Sequence, residues 1–327
     1  MSGRRPGRLS LAGAFVILLA LFGGALLIKP WFQAGTGNGA TLVTIPPGAT
    51  LDAAAHKLDD ADVIYSAGQF KLLARLFGKP GAIKAGVYRF PANASWSDDY
   101  RRMQRGNVVA VRVTIPEGLP AVLVAERLAA QPALTGAVAT PREGSVLPDT
   151  YNFATGTSRA AALKTMQAAM AAELAKLWAN RSAATVVKSP AEAIILASIV
   201  EKETGAAVER RMVAGVYSNR LRQGVKLDAD PTVIYPLTQG RPLGRRIKRS
   251  ELDTDNGYNT YLRAGLPKGP IANPGRDAIA AVLDPAPTRA LYFVANGSGG
   301  HVFATTLAEQ NANVAKWFAL RRQRGEM

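Results

Sequence analysis

The 327-residue chain contains no cysteine and only two histidines, His56 and His301. The first absence removes disulfides, zinc–thiolate sites, iron–sulfur clusters and thiol nucleophiles together. The second excludes a His-rich metal centre and leaves only a carboxylate Mg²⁺ or Ca²⁺ site open. A Ser-His-Asp triad would have to use His301, and the chain has no Gly-x-Ser-x-Gly elbow. Acidic residues are also scarce: 24 Asp+Glu stand against 40 Lys+Arg, a formal charge of +16. Chemistry is left to Glu, Asp, Tyr, Ser, Thr, Asn, Lys and Arg. The 48% hydrophobic and 20% charged content is that of a globular protein, and the length accommodates two or three compact units.

Charged residues are absent altogether from Leu9 to Ile28, twenty mostly apolar positions that at helical rise cover roughly the 30 Å hydrocarbon layer of a bilayer. Arg4, Arg5 and Arg8 precede this run. Positive flanks stay cytoplasmic, so residues 1–8 read as a cytoplasmic tail, 9–28 as a single-pass anchor and the remainder as extracytoplasmic. A cleaved signal peptide would have a shorter apolar run and a small-x-small cleavage site, where this chain has Lys29-Pro30-Trp31-Phe32. A buried helix of a soluble protein would show a polar face and a cap. The basic surface then has anionic polymers and lipid headgroups as its counter-charges, and nucleic acid is not an expected partner. Arg241, Arg245, Arg246, Lys248 and Arg249, with Lys316, Arg321, Arg322 and Arg324 near the end, read as solvated charged faces.

Residues 29–41 read as a linker. Leu42–Ile45 predicts a strand, Thr50 the cap of a helix to Leu58, Ser66–Phe77 a second helix and Gly86–Phe90 a returning strand. Offset by seventy residues, Val43-Thr44-Ile45-Pro46-x-Gly48 recurs as Val113-Thr114-Ile115-Pro116-x-Gly118, with Ala55 and Leu58 matching Ala125 and Leu128. Each copy predicts a strand stopped by Pro, a turn at Gly and a helix, placing a domain boundary near residue 115. The predicted helices beyond Pro148 are Ser158–Trp178, Ala191–Thr204 started by Ser189-Pro190, Glu209–Gln223, Asp277–Leu283 and Leu307–Arg322. Strands are expected at Ala290–Ala295 and Val302–Thr305, and loops with short strands from Asp228 to Gly275.

Glu201 and Glu203 stand where an otherwise apolar helix ends, in Ile199-Val200-Glu201-Lys202-Glu203-Thr204-Gly205. Burial disfavours the charged form of a carboxyl, and the partial negative charge of a helix C-terminus adds to that. A carboxylic acid that keeps its proton near neutral pH is what a general acid requires. Residue 203 continues the Glu192–Leu196–Ile199 stripe. Glu201 falls on the other side with Ile194 and Ser198, where it can pair with Arg210 or Arg211. On residue chemistry alone, two exposed helix-end carboxylates in surface ion pairs remain the alternative.

The run Ala197-Ser198-Ile199-Val200-Glu201-Lys202-Glu203-Thr204 resembles the signature of the MltG (YceG-like) endolytic murein transglycosylases. Collinear motifs extend the resemblance. Val216-Tyr217-x-Asn219-Arg220-Leu221, Leu227-x-x-Asp230-Pro231-Thr232-Val233-x-Tyr235, Tyr258-Asn259-Thr260-Tyr261 and Gly265-Leu266-Pro267-x-Gly269-Pro270-Ile271-x-Asn273-Pro274-Gly275 follow in order. Tyr292-Phe293-Val294 and Gly299-Gly300-His301-x-Phe303 close the series, with Leu147–Tyr151 and Ala85–Phe90 upstream. The likeness runs from about Leu42 to Phe318. It implies an α+β fold with a single N-terminal transmembrane helix, a LysM-like βααβ subdomain at 42–114, and a mainly helical, lysozyme-like catalytic domain with inserted short strands at 115–327.

By the same resemblance the enzyme is a lytic transglycosylase in the inner membrane. It cleaves the MurNAc–GlcNAc bond within nascent strands to leave 1,6-anhydro ends, with no cofactor and no metal, and has peptidoglycan synthases of that membrane as partners. The acid carries to Glu203, with Glu201 as the runner-up. Asp230 is the other candidate second carboxylate, set against turn chemistry at Asp-Pro. Asn219 and Arg220 are candidate sugar donors or helix-packing residues. Tyr258, Asn259 and Tyr261 combine aromatic faces with an amide, a mixture suited to N-acetylated sugars as well as to a core. Asn273 carries the same two readings, and His301 reads as structural. The competing function is a non-catalytic, membrane-anchored peptidoglycan-binding scaffold.

Overall fold

The computed structural model describes residues 11–326, so the Arg4, Arg5 and Arg8 flank lies outside the described residues. In chain order the elements are α1 (Leu11–Phe32), β1 (Ala40–Ile45), α2 (Leu51–Asp60), α3 (Ala67–Phe77), β2 (Gly86–Pro91), α4 (Trp96–Arg105), β3 (Ala110–Thr114), α5 (Ala121–Ala129) and β4 (Thr150–Ala154). There follow α6 (Arg159–Ala179), α7 (Pro190–Glu203), α8 (Arg210–Arg222), α9 (Asp230–Thr238), α10 (Arg249–Leu252), α11 (Arg276–Leu283), β5 (Tyr292–Ala295), β6 (His301–Ala304) and α12 (Leu307–Gln323). The fold is a mixture of helices and three two-stranded ribbons. The described residues divide into a unit ending at 111, with 153–156, and a unit of residues 112–152 with those from 157 onward. The chain re-enters the first unit after β4, where Thr155 N–H donates to the Val109 carbonyl at 3.0 Å.

In the first unit β1 and β2 pair antiparallel from Ala40↔Pro91 to Ile45↔Gly86, with α2 and α3 between them in sequence. Thr50 and Ser66 cap these helices by accepting the N–H groups of Ala53 and Gln69, as expected of Ser/Thr at that position. Ile45, Ala54, Leu58, Phe70, Tyr88 and Phe90 are buried together. A third helix, α4, extends this βααβ order. It is polar apart from Trp96, Tyr100 and Met103, and it starts on a capping box between Ser95 and Asp98. The expected linker is also shorter than read: α1 continues through Phe32, and Trp31 is 2% exposed against Phe70 and Tyr100. A cavity of about 380 Å³, lined by Leu26, Lys29, Trp96 and Asp99 among others, lies beside that end of α1.

The second unit opens on the repeated strand–turn–helix. Ile115 is buried as Ile45 is, and Gly118 at φ 68° repeats Gly48 at φ 74°, a left-handed conformation that glycine takes without steric cost. The two helix caps differ in chemistry. Thr50 caps α2 itself, whereas Pro120 has no side-chain donor or acceptor, and the distant Glu143 accepts the Ala121 N–H of α5 at 2.9 Å.

Helix α7 is the centre of this unit. Ser189 caps it, Pro190 occupies its first turn, and Ala193, Ile194, Leu196, Ala197, Ser198, Ile199 and Val200 are all buried, chiefly against α11 and α8. The Glu192 carboxylate closes the same end by accepting the Lys188 N–H at 2.7 Å. Residues 228–275 depart from the expected loops and short strands, because α9 and α10 are helical. Asp230-Pro231 begins α9 and does not merely turn the chain, since Pro is tolerated in the first helical turn where N–H groups have no intrahelical partner.

Candidate active site

Glu201 and Glu203 are two residues apart at the end of α7, so they point roughly 200° apart around the helix and meet different surroundings. Glu201 is held. Its Oε2 accepts the Gly275 N–H at 2.8 Å, and its Oε1 lies 3.5 Å from Arg210, which also pairs with Glu117 at 3.0 Å and Asp277 at 3.3 Å. A Cβ at Gly275 would sit 2.0 Å from a Glu117 carboxylate oxygen, so a larger residue there would push the Glu117 side chain from its place beside Arg210. Burial raises the Glu201 pKa, against the opposing Gly275 hydrogen bond and the Arg210 charge.

Glu203 is the last residue of the helix, and the buried Thr204 caps it in extended conformation. Its Oε1 is buried without a hydrogen-bond partner among the described residues. Burial pushes the carboxyl up to about 7. The hydrogen bond from the Tyr217 hydroxyl opposes the shift, the Asp230 charge adds to it, and the Arg220 charge lowers it. Tyr217, on α8, is 2% exposed, and burial in turn raises its hydroxyl well above the ordinary phenol. Asp230, exposed at the start of α9, accepts the Tyr261 hydroxyl at 2.6 Å. The arrangement is a protonatable acid with a free oxygen, an ionisable carboxylate nearby, and two tyrosines engaged one with each. A cavity of about 500 Å³ opens beside Lys202 and Pro231, the sequence neighbours of these two carboxylates. Gly118, Leu119, Leu123, Ile234 and Tyr235 line its other walls.

Across the chain, the sequence model of the YceG-like family matches residues 43–316. The chain belongs to the YceG-like family. The endolytic murein transglycosylase of Bacillus subtilis strain 168 is 27% identical over 317 residues, covering 86% of each chain. That of Streptococcus pneumoniae serotype 2 strain D39 is 26% identical and covers 84% of this chain but 58% of its own length. The crystal structure of a YceG-like protein from Listeria monocytogenes superposes with a TM-score of 0.52 at 29% identity, over 84% of this chain and 99% of that one.

The remaining candidates of this YceG-like chain separate by where their donors go. Asn219 gives its amide to the Thr288 and Ala290 carbonyls at 2.9 and 3.0 Å. Arg220, 9% exposed, donates to the carbonyls of Lys226, Leu227 and Leu291 and to Asp228 at 2.7–3.0 Å, so its charge reaches Glu203 while its N–H groups hold the loop. Asn259 caps residues 252–254 with its amide and accepts the Tyr261 N–H at 2.9 Å. Asn273, wholly buried, bridges the Leu119 carbonyl, Glu143 and the Val146 N–H. These side chains spend their donors on the protein's own loops, and of the proposed sugar contacts Tyr261 is the one tied to Asp230.

Tyr258 lies away from that pair, packed on Tyr235 with ring centroids 5.0 Å apart and beneath the Lys268 ammonium. His301 binds Glu209 through Nδ1 at 2.8 Å and its backbone N–H at 2.9 Å. Sequence reasoning quoted Tyr217 and Tyr235 without giving them roles, and it passed over Glu117 and Glu143. The available signal was a Glu beside each of two glycines, Gly118 and Gly144, that adopt positive φ. Among the described residues no cluster of three His, Asp or Glu side chains could hold a metal ion.

Proposed function

We propose that this protein is an endolytic murein transglycosylase whose acid and base is Glu203. The observation that carries the reading is the unpartnered, buried Oε1 of a carboxyl raised to about 7 at the end of α7, in a chain whose relatives bear that activity in their names. Glu203 donates its proton to the glycosidic oxygen as the bond from C1 of N-acetylmuramic acid breaks, releasing the N-acetylglucosamine 4-hydroxyl. Charge on the oxocarbenium-like sugar is met by the carboxylate just formed and by Asp230. The muramyl 6-hydroxyl then attacks C1 and returns its proton to Glu203. The product carries a 1,6-anhydro end, and no water is consumed. The reaction thus eliminates without hydrolysis, as a carbon–oxygen lyase does.

In this reading α1 is a single-pass anchor with its N-terminus cytoplasmic. The first unit is a LysM-like module, the second is lysozyme-like, and the enzyme terminates nascent strands beside the synthases of the inner membrane. The apolar run of α1, with mean hydropathy 2.1 over Gly13–Phe32, supports the anchor.

The test is mass spectrometry of purified glycan strands after incubation with the full chain in detergent, beside Glu203→Gln and Glu201→Gln. The expected result is internal fragments with 1,6-anhydromuramic ends, reduced by roughly a thousandfold or more in Glu203→Gln. Glu201→Gln, which keeps an acceptor for Gly275, should retain much of the activity. Loss confined to Glu201→Gln would move the acid two residues. Reducing ends would mean a hydrolase with water activated at Asp230, and intact strands that co-sediment with the protein would mean a scaffold.

A further inference from the structure

The first unit carries an apolar face that its own core does not use. In α3 the buried side is Ala67, Phe70, Leu73 and Ala74, which meets the requirement of an ordinary amphipathic helix. Yet Leu72 and Leu76 on the outer side are 56% and 64% exposed, and Phe77 at the helix end is 47% exposed. They follow Gln69 at helical spacing, and the Gln69 side-chain amide donates to the Leu27 carbonyl of α1 at 2.5 Å. Phe77 in turn meets Phe32 edge to face at 5.2 Å, and Phe32 is itself 59% exposed. Helix α3 therefore runs alongside the last turns of α1, level with residues 27–32. Its outer leucines continue the exposed Leu26, Leu27 and Ile28 of the anchor. Arg75 and Lys79 are exposed on the same stretch, with Lys71 beside them paired to Asp52.

The geometry points to α3 as a second membrane contact, with Leu72, Leu76, Phe77 and Phe32 seated in the outer leaflet and Arg75 and Lys79 at the headgroups. The occupant is a bilayer surface bearing anionic phospholipid. Two observations select it over a protein partner: the patch is continuous with a helix that carries no charged residue from Leu11 to Ile28, and the cations beside the patch complement anionic headgroups. The inference rests on α1 spanning the bilayer, and is independent of the transglycosylase reading.

Because the chain has no cysteine, single labels can be placed without background. Full-length protein with Leu72→Cys, Leu76→Cys, Ile17→Cys or Val208→Cys, each carrying a nitroxide, would be reconstituted into vesicles of phosphatidylethanolamine and phosphatidylglycerol. Collision with oxygen and with a water-soluble nickel chelate reports lipid and water respectively. Position 208, 92% exposed in the second unit, is the water reference, and position 17 is the lipid reference. The expected oxygen-to-nickel ratio at 72 and 76 is roughly tenfold above that at 208 and approaches that at 17. A ratio at 72 and 76 equal to that at 208, with 17 in lipid, overturns the proposal and leaves the anchor intact. Shielding from both reagents would mean a protein covers the face and also overturns it. Water at position 17 as well would remove the anchor and the proposal together.

Discussion

At the scale of single residues, two carboxylates with the same covalent chemistry are made different by their partners. Glu201 finds a backbone N–H and a guanidinium, whereas Glu203 finds one phenol and, among the described residues, no hydrogen-bond partner for its buried Oε1. The consequence is a testable pH profile. A general acid works only while protonated, so with Glu203 at about 7 the kcat/KM for strand cleavage should hold below that pH and fall tenfold per unit above it. The Tyr217 hydrogen bond lowers the Glu203 pKa, so Tyr217→Phe should move the alkaline limb to higher pH as well as slow the reaction. A limb near the ordinary carboxylate range, or one that Tyr217→Phe leaves in place, would remove Glu203 from the role. The burial of Glu203 was legible from sequence in the helical stripe, because residue spacing alone says which side chains share a face. The fate of Asn219, Arg220, Asn259 and Asn273 was not legible. Their partners are mostly backbone carbonyls of loops, and a carbonyl leaves no mark in a residue pattern.

At the scale of elements, α7 was readable from end to end because its cap, first-turn proline and apolar middle are all local signals. Helices α4 and α9 were not. The first is largely polar, with its face set by Trp96, Tyr100 and Met103, and the second contains two prolines, Pro231 in its first turn and Pro236 near its end, that read as loop. The middle of α7 is tied to the loop before α11 by a buried hydroxyl, in addition to the Glu201–Gly275 bond at the helix end. Ser198 Oγ donates to the Ile195 carbonyl at 2.7 Å and accepts the Ile271 N–H at 3.0 Å. Ser198→Ala would keep the helix but leave that buried N–H unpaired, at a cost of about 1–3 kcal/mol. Because the same loop carries Gly275 onto Glu201, cleavage should weaken too. Equilibrium urea unfolding measures the first effect, and stability equal to that of the parent chain would show that the N–H finds another acceptor.

For the whole molecule, the division of labour follows from two cores that share no residue: one around Phe70 and Tyr88, the other around α7. The sequence placed an apolar helix ahead of the body, as the structure has it, but it drew the break between them as a linker because Gly, Thr and Ala dominate after residue 33. That reading missed Trp31, whose ring centroid is 6.0 Å from Phe70 and 5.7 Å from Tyr100. Its burial makes the last turn of α1 part of the first core and sets how far α1 can be cut back. A chain beginning at Lys29 keeps this tryptophan, whereas one beginning at Thr41 vacates its site. Loss of a buried aromatic of this size costs about 3–5 kcal/mol when the surroundings cannot close over the gap. The shorter chain should therefore unfold at lower urea than the longer one, and Trp31→Ala in the longer chain should reproduce most of the difference. Tyr100 and Phe70 would then face a hole, so the shorter chain should also show weaker near-ultraviolet dichroism from the first unit. Equal midpoints for the two starts would mean that the core is complete without α1 and that residues 29–40 are a tether after all.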